Sequence, residues 1–293
     1  GCLSLHDLFH RMGDDGVEQA VMEVSSHALD QKRVAGLSFD VAVLTNLTQD
    51  HLDYHKDMDS YYLAKRQLFM DLPKRGKSCV INADDAWGRK LLKECGGVGY
   101  GFNTASATGA DAMLTGKVLD YSVSGLKLAM EYQGQRWELE SPMVGLFNGS
   151  NLLAAQGAGL ALGLGPADMA HLASFTGVPG RVERVPNKQG LNIFVDYAHT
   201  PDALDNVLSA LKQLDFGRLI TVFGCGGNRD RKKRPLMAQA AARYSDVAIL
   251  TSDNPRHEDP IAIMNDARPG LVDCPMVLET PDRKKAIGMA IEE

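Results

Sequence analysis

The chain has 293 residues, of which 44% are hydrophobic and 23% are charged, and its formal net charge is −6. This composition is that of an ordinary globular protein of about two domains, and it excludes collagen, coiled-coil and disordered chains. The apolar runs fall short of the roughly 20 residues that span a bilayer, and the acidic excess argues against nucleic acid or an anionic membrane as partner. Five cysteines are scattered without a C-x-x-C pair, so we expect reduced thiols in a cytoplasmic protein.

The first part of the chain alternates short apolar runs with helical patterns. Residues 20–24, 41–44 and 79–81 are apolar runs typical of strands that are buried on both faces. Residues 57–72 have the apolar spacing of a helix, and residues 82–85 can cap another helix. Strands that alternate with helices indicate a parallel sheet covered on both sides.

The pattern changes to a period of two residues between about residues 98 and 144. Leu126, Leu128 and Met130 alternate with other residues, and the alternation resumes after the turn formers Gln133-Gly134. This alternation predicts an antiparallel hairpin appended to the sheet.

The last part of the chain returns to strands and helices. Residues 148–164 predict a helix, and residues 174–188, which lack periodicity, predict a linker. Beyond the linker, four strands are predicted at residues 193–195, 219–223, 247–250 and 276–278. Each strand is predicted to begin a strand–helix unit, and two of the helices can be located, one starting at Thr200-Pro201 and one with apolar spacing at Met237, Ala240, Ala241 and Tyr244.

Clusters of polar residues follow the predicted strands. In open α/β sheets, ligands bind beyond the carboxyl ends of the strands, so we expect the functional site to be assembled from these clusters. They are the segments 23–27, 45–46, 196–199, 224–230 and 252–256.

Two of the polar segments have more than one chemical interpretation. In Glu23-Val-Ser-Ser-His27, a carboxylate and two hydroxyls could hold a hard cation and a polar substrate, or Ser25 or Ser26 could cap a helix. The loop 45–55 contains two histidines and two aspartates. It could be a magnesium or substrate loop, a zinc site or a solvated polar loop, and its pattern is not that of a zinc protease.

Cationic residues stand at three further places. A lone helical lysine such as Lys65 is ordinarily a solvated charge. The run 229–234 holds five cations in six positions before a helix, which favours an anionic small molecule over nucleic acid or a solvated helix start. In Asp253-Asn-Pro-Arg256, Asp253 can bind an ammonium group and Arg256 can grip a carboxylate, although the segment could also be a simple turn.

Nine segments of the chain together resemble one protein family. They are MEVSSHALDQKRV, TNLTQDHLDYH, AKRQLF, VINADD, FNGSNLLAA, PGRVERV, VDYAHTPDAL, VFGCGGNRDRKKRPLM and TSDNPRHEDP. In this order they resemble the Mur ligases, the ATP-dependent amide ligases of peptidoglycan synthesis, over essentially the whole chain. The resemblance therefore implies a bacterial cytoplasmic enzyme that acts on small molecules.

The resemblance also implies an α/β fold with two domains. Residues 1–178 would be an N-terminally truncated Mur-ligase central (ATPase) domain, with a mostly parallel sheet plus an antiparallel hairpin. Residues 179–293 would be a C-terminally truncated, Rossmann-like α/β domain that binds the amino acid.

Site residues follow from the resemblance position by position. Mg²⁺ binding is implied for Glu23, His51 and Lys65, and catalysis for His51 and for Lys65 as a carboxylated lysine. Binding of the UDP-muramoyl-dipeptide is implied for Ser25, Gln31 and Arg33. ATP binding is implied for Asn148, Asn151, Arg181, Asp196 and His199. Binding of the incoming amino acid is implied for Arg229, Asp253, Asn254, Pro255 and Arg256. Carboxylation of a lysine requires a neutral amine, hence a pKa below the ordinary value of about 10.4.

The last residue of Asp253-Asn-Pro-Arg256 favours meso-diaminopimelate as the amino acid. Diaminopimelate carries a second carboxylate, with which Arg256 can pair, whereas L-lysine does not. The implied reaction joins diaminopimelate to UDP-N-acetylmuramoyl-L-alanyl-D-glutamate through an acyl phosphate made from ATP. Alternatives are an L-lysine-adding ligase, another amide ligase such as folylpolyglutamate synthase, and a non-catalytic fragment that binds an amino acid.

One motif of the family does not occur in the chain. No G-x-x-x-x-G-K-[ST] loop, which cradles nucleotide phosphates, is present. We therefore expect residues 1–293 to be a fragment of a longer ligase that lacks the N-terminal domain, the phosphate loop and the extreme C-terminus. By itself, such a fragment is expected to have no ligase activity.

Overall fold

The structure is a computed structural model that describes residues 2–48, 52–214 and 216–293. The chain divides into two compact units. The first consists of Gly1–Leu119, Lys127–Glu140 and Asn148–Ser174, and the second of Asp120–Leu126, Ser141–Phe147 and Phe175–Glu293. This division is based on contacts within the chain, and it does not test where one family domain ends and the next begins. The domain boundary after residue 178 therefore stays a prediction. No helix among the described residues is long and apolar enough to cross a membrane.

Most of the first unit is built on a six-stranded sheet whose strands lie in chain order. They are β1 (Val41–Leu44), β2 (Ser78–Asn82), β3 (Val98–Gly101), β4 (Ala112–Ser122), β5 (Gly125–Tyr132) and β6 (Gln135–Ser141). The first four strands pair in parallel. Only two residues connect β4 to β5 and β5 to β6, a connection that only antiparallel neighbours allow. The predicted parallel sheet with an appended hairpin is confirmed.

The three helices predicted in this half of the chain are present, and the structure adds others. The helices are α1 (Cys2–Asp14), α2 (Ser26–Asp30), α3 (Leu52–His55), α4 (Met58–Met70), α5 (Ala86–Cys95) and α6 (Leu146–Ala161). The predicted ones are α4, α5 and α6, whereas the sequence does not predict α1 and α3, and it predicts α2 only as one alternative for the segment 23–27. The side chain of Asp57 caps α4, and that of Asp85 caps α5 by accepting from the Gly88 N–H. Helix α4 buries Tyr61 and Phe69 in the core of the sheet, which places Lys65 on the same helix between these two anchors.

The strand predicted at residues 20–24 is wrong. Residues 17–25 are irregular, and Val21 is fully exposed. A strand forms only where its backbone hydrogen-bonds to a neighbouring strand. Among the described residues, β1 is the last strand at this edge of the sheet, so residues 20–24 do not pair with it as a further strand. Strand β1 itself is confirmed, but it alternates buried Ala42 and Leu44 with the part-exposed Val43 instead of being buried on both faces.

The second unit contains a three-stranded parallel sheet with helices on both faces. Its strands, in the order β11-β10-β9, are β9 (Ile220–Phe223), β10 (Val247–Thr251) and β11 (Met276–Thr280). Its helices are α7 (Pro201–Lys212), α8 (Lys233–Tyr244), α9 (Pro260–Ala267) and α10 (Arg283–Glu292). Alternate residues of β10 enter two cores, Ala248 and Leu250 with α8, and Val247 and Ile249 with Ala286 of α10. This three-layer arrangement confirms the Rossmann-like prediction.

One of the four strands predicted for this part does not join the parallel sheet. Strand β8 (Phe194–Val195) pairs antiparallel with β7 (Glu183–Arg184), which lies inside the predicted linker. The strand ends at Asp196, whose carboxylate accepts hydrogen bonds from the N–H groups of Val182 and Ala198. These two bonds turn the chain away before a longer strand can form.

Candidate functional site

Lys65 is half-buried beside a buried group of rings and polar side chains, and together they form the Lys65 cluster (Lys65, Tyr61, His55 and Ser26). The Lys65 Nζ lies 5.6 Å from the centroid of the Tyr61 ring. The ring of His55 stacks on that of Tyr61 with centroids 5.2 Å apart. The His55 Nε2 and the Ser26 hydroxyl are 2.8 Å apart, and both residues are buried. The structure thus links Lys65 to Ser26 of the segment 23–27 and to His55 of the polar loop that starts at residue 45, and it adds Tyr61, which the sequence analysis does not identify as a site residue.

Two of the residues predicted to bind the UDP-muramoyl-dipeptide lie beside this cluster. The Arg33 guanidinium donates to the Gln31 side-chain oxygen over 2.6 Å, and the Gln31 amide lies 3.5 Å from the Tyr54 hydroxyl. The Tyr54 ring lies 4.8 Å from that of His55. The third predicted residue, Ser25, accepts a hydrogen bond from the Ala28 N–H and caps α2. Its capping interpretation is therefore confirmed.

The predicted metal ligands are only partly within the described residues. His51 lies outside them. Glu23 is exposed, and its carboxylate bonds to no residue that the structure describes. Within residues 2–48, 52–214 and 216–293, no group of three His, Cys, Asp or Glu side chains could hold a metal ion. An unmodified lysine offers a cation no oxygen, whereas a carboxylated one offers two.

The two asparagines predicted to bind ATP stand one turn apart on α6. The Asn151 side-chain amide donates to the Asn148 side-chain oxygen over 3.1 Å. Asn148 is buried and Asn151 is exposed, so the pair presents one polar side chain to solvent and anchors it with the other.

The other residues predicted to bind ATP surround an exposed tyrosine in the second unit. The Arg181 guanidinium lies 5.1 Å from the Tyr197 ring centroid, and the His199 ring lies 5.0 Å from it. Tyr197 is 62% exposed, and an aromatic face beside a cation can stack on a planar base. Asp196 also has a structural role. Its carboxylate accepts a hydrogen bond from the N–H of Val182, whose φ of +47° is rare for a β-branched residue.

The predicted amino-acid site consists of two loops that bind each other. The glycine loop (residues 224–229) follows β9, and the recognition loop (residues 252–258) follows β10. The Gly227 N–H donates to the Asn254 carbonyl over 2.9 Å, and an Arg256 Nη donates to the Gly227 carbonyl over 2.8 Å. Four of the five guanidinium donors of Arg256 thus bond to none of the residues that the structure describes.

Charged side chains flank the two loops. Asp253 has an oxygen 3.8 Å from the Arg283 guanidinium. Arg229 is exposed, and its side chain makes no hydrogen bond or ion pair to the described residues. The two loops therefore present cationic and anionic groups together, as recognition of a zwitterionic amino acid requires. Pro255 shapes this surface through its backbone, because its carbonyl faces Gly227.

The cation run 229–234 is not a uniform anion site, which corrects the interpretation of these five charges. The Arg231 guanidinium forms two 2.9 Å hydrogen bonds to Asp266. Arg234 is only 2% exposed and pairs with both Glu258 and Asp266. Two of the five cations are therefore neutralised within the fold. The two carboxylates lie more than twenty residues downstream in the sequence, and nothing in the local pattern indicates this pairing.

The carboxylates of Glu258 and Asp266 make the stability of the second unit depend on pH. The Arg234 guanidinium lowers the pKa of Glu258 below its ordinary 4.5, and Arg231 and Arg234 lower the pKa of Asp266 below 3.8. A group whose pKa is lower in the folded state stabilises the fold above its unfolded pKa and loses that contribution as the pH falls through the folded pKa. We expect the melting-temperature difference between the wild type and Glu258→Gln to shrink on acidification below 4.5. A difference that stays constant in a pH series would contradict this cause.

Adjacent glycines provide a test of the loop contact. A Cβ at Gly227 would lie 1.9 Å from the Pro255 carbonyl oxygen, whereas a Cβ at Gly226 would meet nothing closer than 3.9 Å. We expect Gly227→Ala to destabilise the protein by about 1–3 kcal/mol, because backbone atoms must move apart. Gly226→Ala, the matched control, should melt like the wild type. Equal melting temperatures of the two variants in calorimetry would show that the loops are not packed as described.

Family comparisons match both halves of the chain. Residues 2–159 match the Mur ligase middle domain, and residues 180–293 match the glutamate ligase domain of Mur ligases. Two curated relatives are named UDP-N-acetylmuramoyl-L-alanyl-D-glutamate–2,6-diaminopimelate ligase. The one from Lawsonia intracellularis is 55% identical over 292 residues, with 99% of this chain and 60% of the relative covered. The one from Synechococcus elongatus is 49% identical over 285 residues, with 95% and 56% covered.

A solved structure of the same name supports the fold. It is 37% identical, superposes with a TM-score of 0.68, and is matched over 99% of this chain and 60% of its own length. The chain thus spans about 60% of the length of the relatives that it matches. Both family matches and both halves of the fold agree, and the chain belongs to the Mur ligase family.

Proposed function

We propose that the protein to which this chain contributes joins meso-diaminopimelate to UDP-N-acetylmuramoyl-L-alanyl-D-glutamate in peptidoglycan synthesis, with ATP as co-substrate. The observation that carries the proposal is the recognition loop, in which Asn254 and Arg256 bond to Gly227 of the glycine loop and most guanidinium donors of Arg256 bond to none of the described residues. The names and identities of the relatives support the same substrates.

The proposed reaction has two steps. The D-glutamate carboxylate attacks the γ-phosphorus of ATP, which releases ADP and leaves an acyl phosphate. The free amine of diaminopimelate then attacks the acyl carbon, phosphate leaves from the tetrahedral intermediate, and the nitrogen loses a proton. In this scheme, Asp253 binds an ammonium group of the amino acid, and Arg256 and Arg229 bind its carboxylates. Orientation of the amine towards the acyl carbon is the main contribution of these residues.

The remaining predicted residues supply the other substrate sites in this proposal. Ser25, Gln31 and Arg33 hold the UDP-muramoyl-dipeptide beside the Lys65 cluster. Asn148 and Asn151, with Arg181, Asp196 and His199, bind the nucleotide, and the exposed ring of Tyr197 adds a stacking surface for its base.

A divalent cation fits the chemistry of the predicted ligands. The Glu23 carboxylate is exposed and bonds to no described residue, and carboxylation would give Lys65 the oxygens that Mg²⁺ prefers. Together with His51, they would hold a Mg²⁺ that neutralises phosphate charge when it is bound. Lys65 is half-buried with its Nζ near the Tyr61 ring, so the Lys65 cluster would fix the position of the carbamate.

A chimera tests the proposed function. It joins this chain to the segments of the Lawsonia intracellularis ligase that lie outside the matched 292 residues. Given ATP, Mg²⁺ and the UDP-muramoyl-dipeptide, the chimera should form the tripeptide product with diaminopimelate. Product with L-lysine but not diaminopimelate would assign the L-lysine-adding alternative. Activity on folylglutamate would assign the folylpolyglutamate synthase alternative. Binding of diaminopimelate without product would favour the non-catalytic alternative.

A further inference from the structure

Glu258 joins the two loops of the amino-acid site to a buried arginine. Its oxygens accept 2.7 Å and 3.0 Å hydrogen bonds from the Arg234 guanidinium. One of the same oxygens accepts from the backbone N–H of Asn228 in the glycine loop. The Glu258 N–H itself donates to the Pro255 carbonyl, which closes the recognition loop into a turn. One side chain therefore contacts the glycine loop and the base of α8, while its own backbone shapes the recognition loop.

Asn228 adds a second link between the loops. Its side-chain oxygen accepts a 3.0 Å hydrogen bond from the His257 N–H. Arg234 also reaches the Gly226 carbonyl over 3.4 Å. Each loop is thus anchored to the other through its backbone, and Arg234, which is 2% exposed, is the common anchor.

Backbone strain in both loops indicates why such an anchor is needed. Asn228 has a φ of +51° and Arg256 has a φ of +53°. Non-glycine residues in this left-handed region are strained and persist only where the surrounding structure holds them. Glu258 accepts a hydrogen bond from the N–H of Asn228 itself, and the Asn228 side chain accepts from the N–H of His257, the residue after Arg256. These bonds therefore hold the backbone at one strained position and directly beside the other.

We propose that Glu258 is a positioning residue of the amino-acid site. It acts through Arg234 and Asn228, and it holds the recognition loop so that Asp253 and Arg256 face the incoming amino acid together. The inference rests on the proposed function, because it assigns the two loops to diaminopimelate. Glu258 itself makes no contact with the substrate in this proposal.

The chimera with Glu258→Gln tests this role. Glutamine keeps the shape of glutamate but loses its charge and one acceptor oxygen. We expect the KM for diaminopimelate to rise about tenfold while the KM for ATP stays unchanged, because misplacement of a binding group by a fraction of an ångström weakens only the site that it builds. The matched control is Glu279→Gln, since Glu279 also pairs with an arginine, Arg268, and the two glutamate side chains are 26% and 27% exposed. The control should change neither KM.

The possible results distinguish a failure of the positioning role of Glu258 from a failure of the proposed function. An unchanged KM for diaminopimelate in Glu258→Gln, or an equal rise for ATP, overturns the positioning role. A wild-type chimera that uses other substrates contradicts the proposed function instead. If Glu258→Gln does not fold, Glu258→Asp decides, because aspartate keeps the charge while its shorter side chain cannot bond to Arg234 and the Asn228 N–H from the same place. A selective rise in the KM for diaminopimelate supports the role, and wild-type kinetics overturn it.

Discussion

Lys65→Ala in the chimera should reduce tripeptide formation by about a hundredfold or more. Loss of a group that stabilises developing charge typically costs about 10²–10³ in rate. In our proposal that group is the carbamate on Lys65, which the ring of Tyr61 flanks at 5.6 Å from the amine. Initial rates at saturating ATP, dipeptide and diaminopimelate give the measurement.

A second lysine of the first unit provides the matched control for Lys65. The Nζ of Lys90 lies 4.4 Å from the ring centroid of Tyr62, so Lys90→Ala removes an equivalent contact away from the Lys65 cluster. This variant should retain the wild-type rate. Unchanged activity of Lys65→Ala would remove the carbamate from the mechanism. A carbamate carbon signal in the magnetic resonance spectrum of wild type labelled with carbon-13 bicarbonate, absent in Lys65→Ala, would identify the modification directly.

Arg256→Ala should abolish the preference for diaminopimelate over L-lysine. Hydrogen bonds between charged groups contribute about 1.5–3 kcal/mol, which corresponds to about a ten- to hundredfold loss of kcat/KM for diaminopimelate. The value for L-lysine, which has no second carboxylate, should stay low and unchanged. Arginine and alanine both carry a Cβ at the φ of +53°, so the substitution adds no backbone strain.

Arg268→Ala is the control for the loss of an arginine in this unit. Arg268 pairs with Glu279 and is 50% exposed, and its removal should leave the preference for diaminopimelate intact. Calorimetric titration of residues 1–293 with diaminopimelate gives an independent measurement. Equal affinities of the wild type and Arg256→Ala would contradict the assignment of Arg256.

Local elements of the fold follow from short-range chemistry and could be predicted. The hairpin turn lies at Gln133-Gly134, where both residues have positive φ, as a two-residue connection requires. The Thr200 hydroxyl accepts from the Ala203 N–H and Pro201 opens α7. Such features depend on residues within one turn of each other, so the sequence contains all the atoms that decide them.

The wrong strand at residues 20–24 illustrates the opposite case. Its apolar composition is that of a strand, but a strand also needs a partner, and the sheet order of the described residues ends at β1. Likewise, Phe194–Val195 finds its partner at Glu183–Arg184 inside the expected linker. Pairing of this kind is a property of neighbours in space, which periodicity along the chain does not contain.

The sequence by itself determined the fold class, the family and the residue types of the predicted amino-acid site. Only the tertiary structure decided which charged side chains near that site already pair with carboxylates of the protein. Arg231 and Arg234 look like ligands for an anion in the sequence, but Glu258 and Asp266 neutralise them in the fold. The physical reason is that charge is compensated over a few ångströms of space, and the compensating carboxylates come from a loop and a helix that follow the next strand.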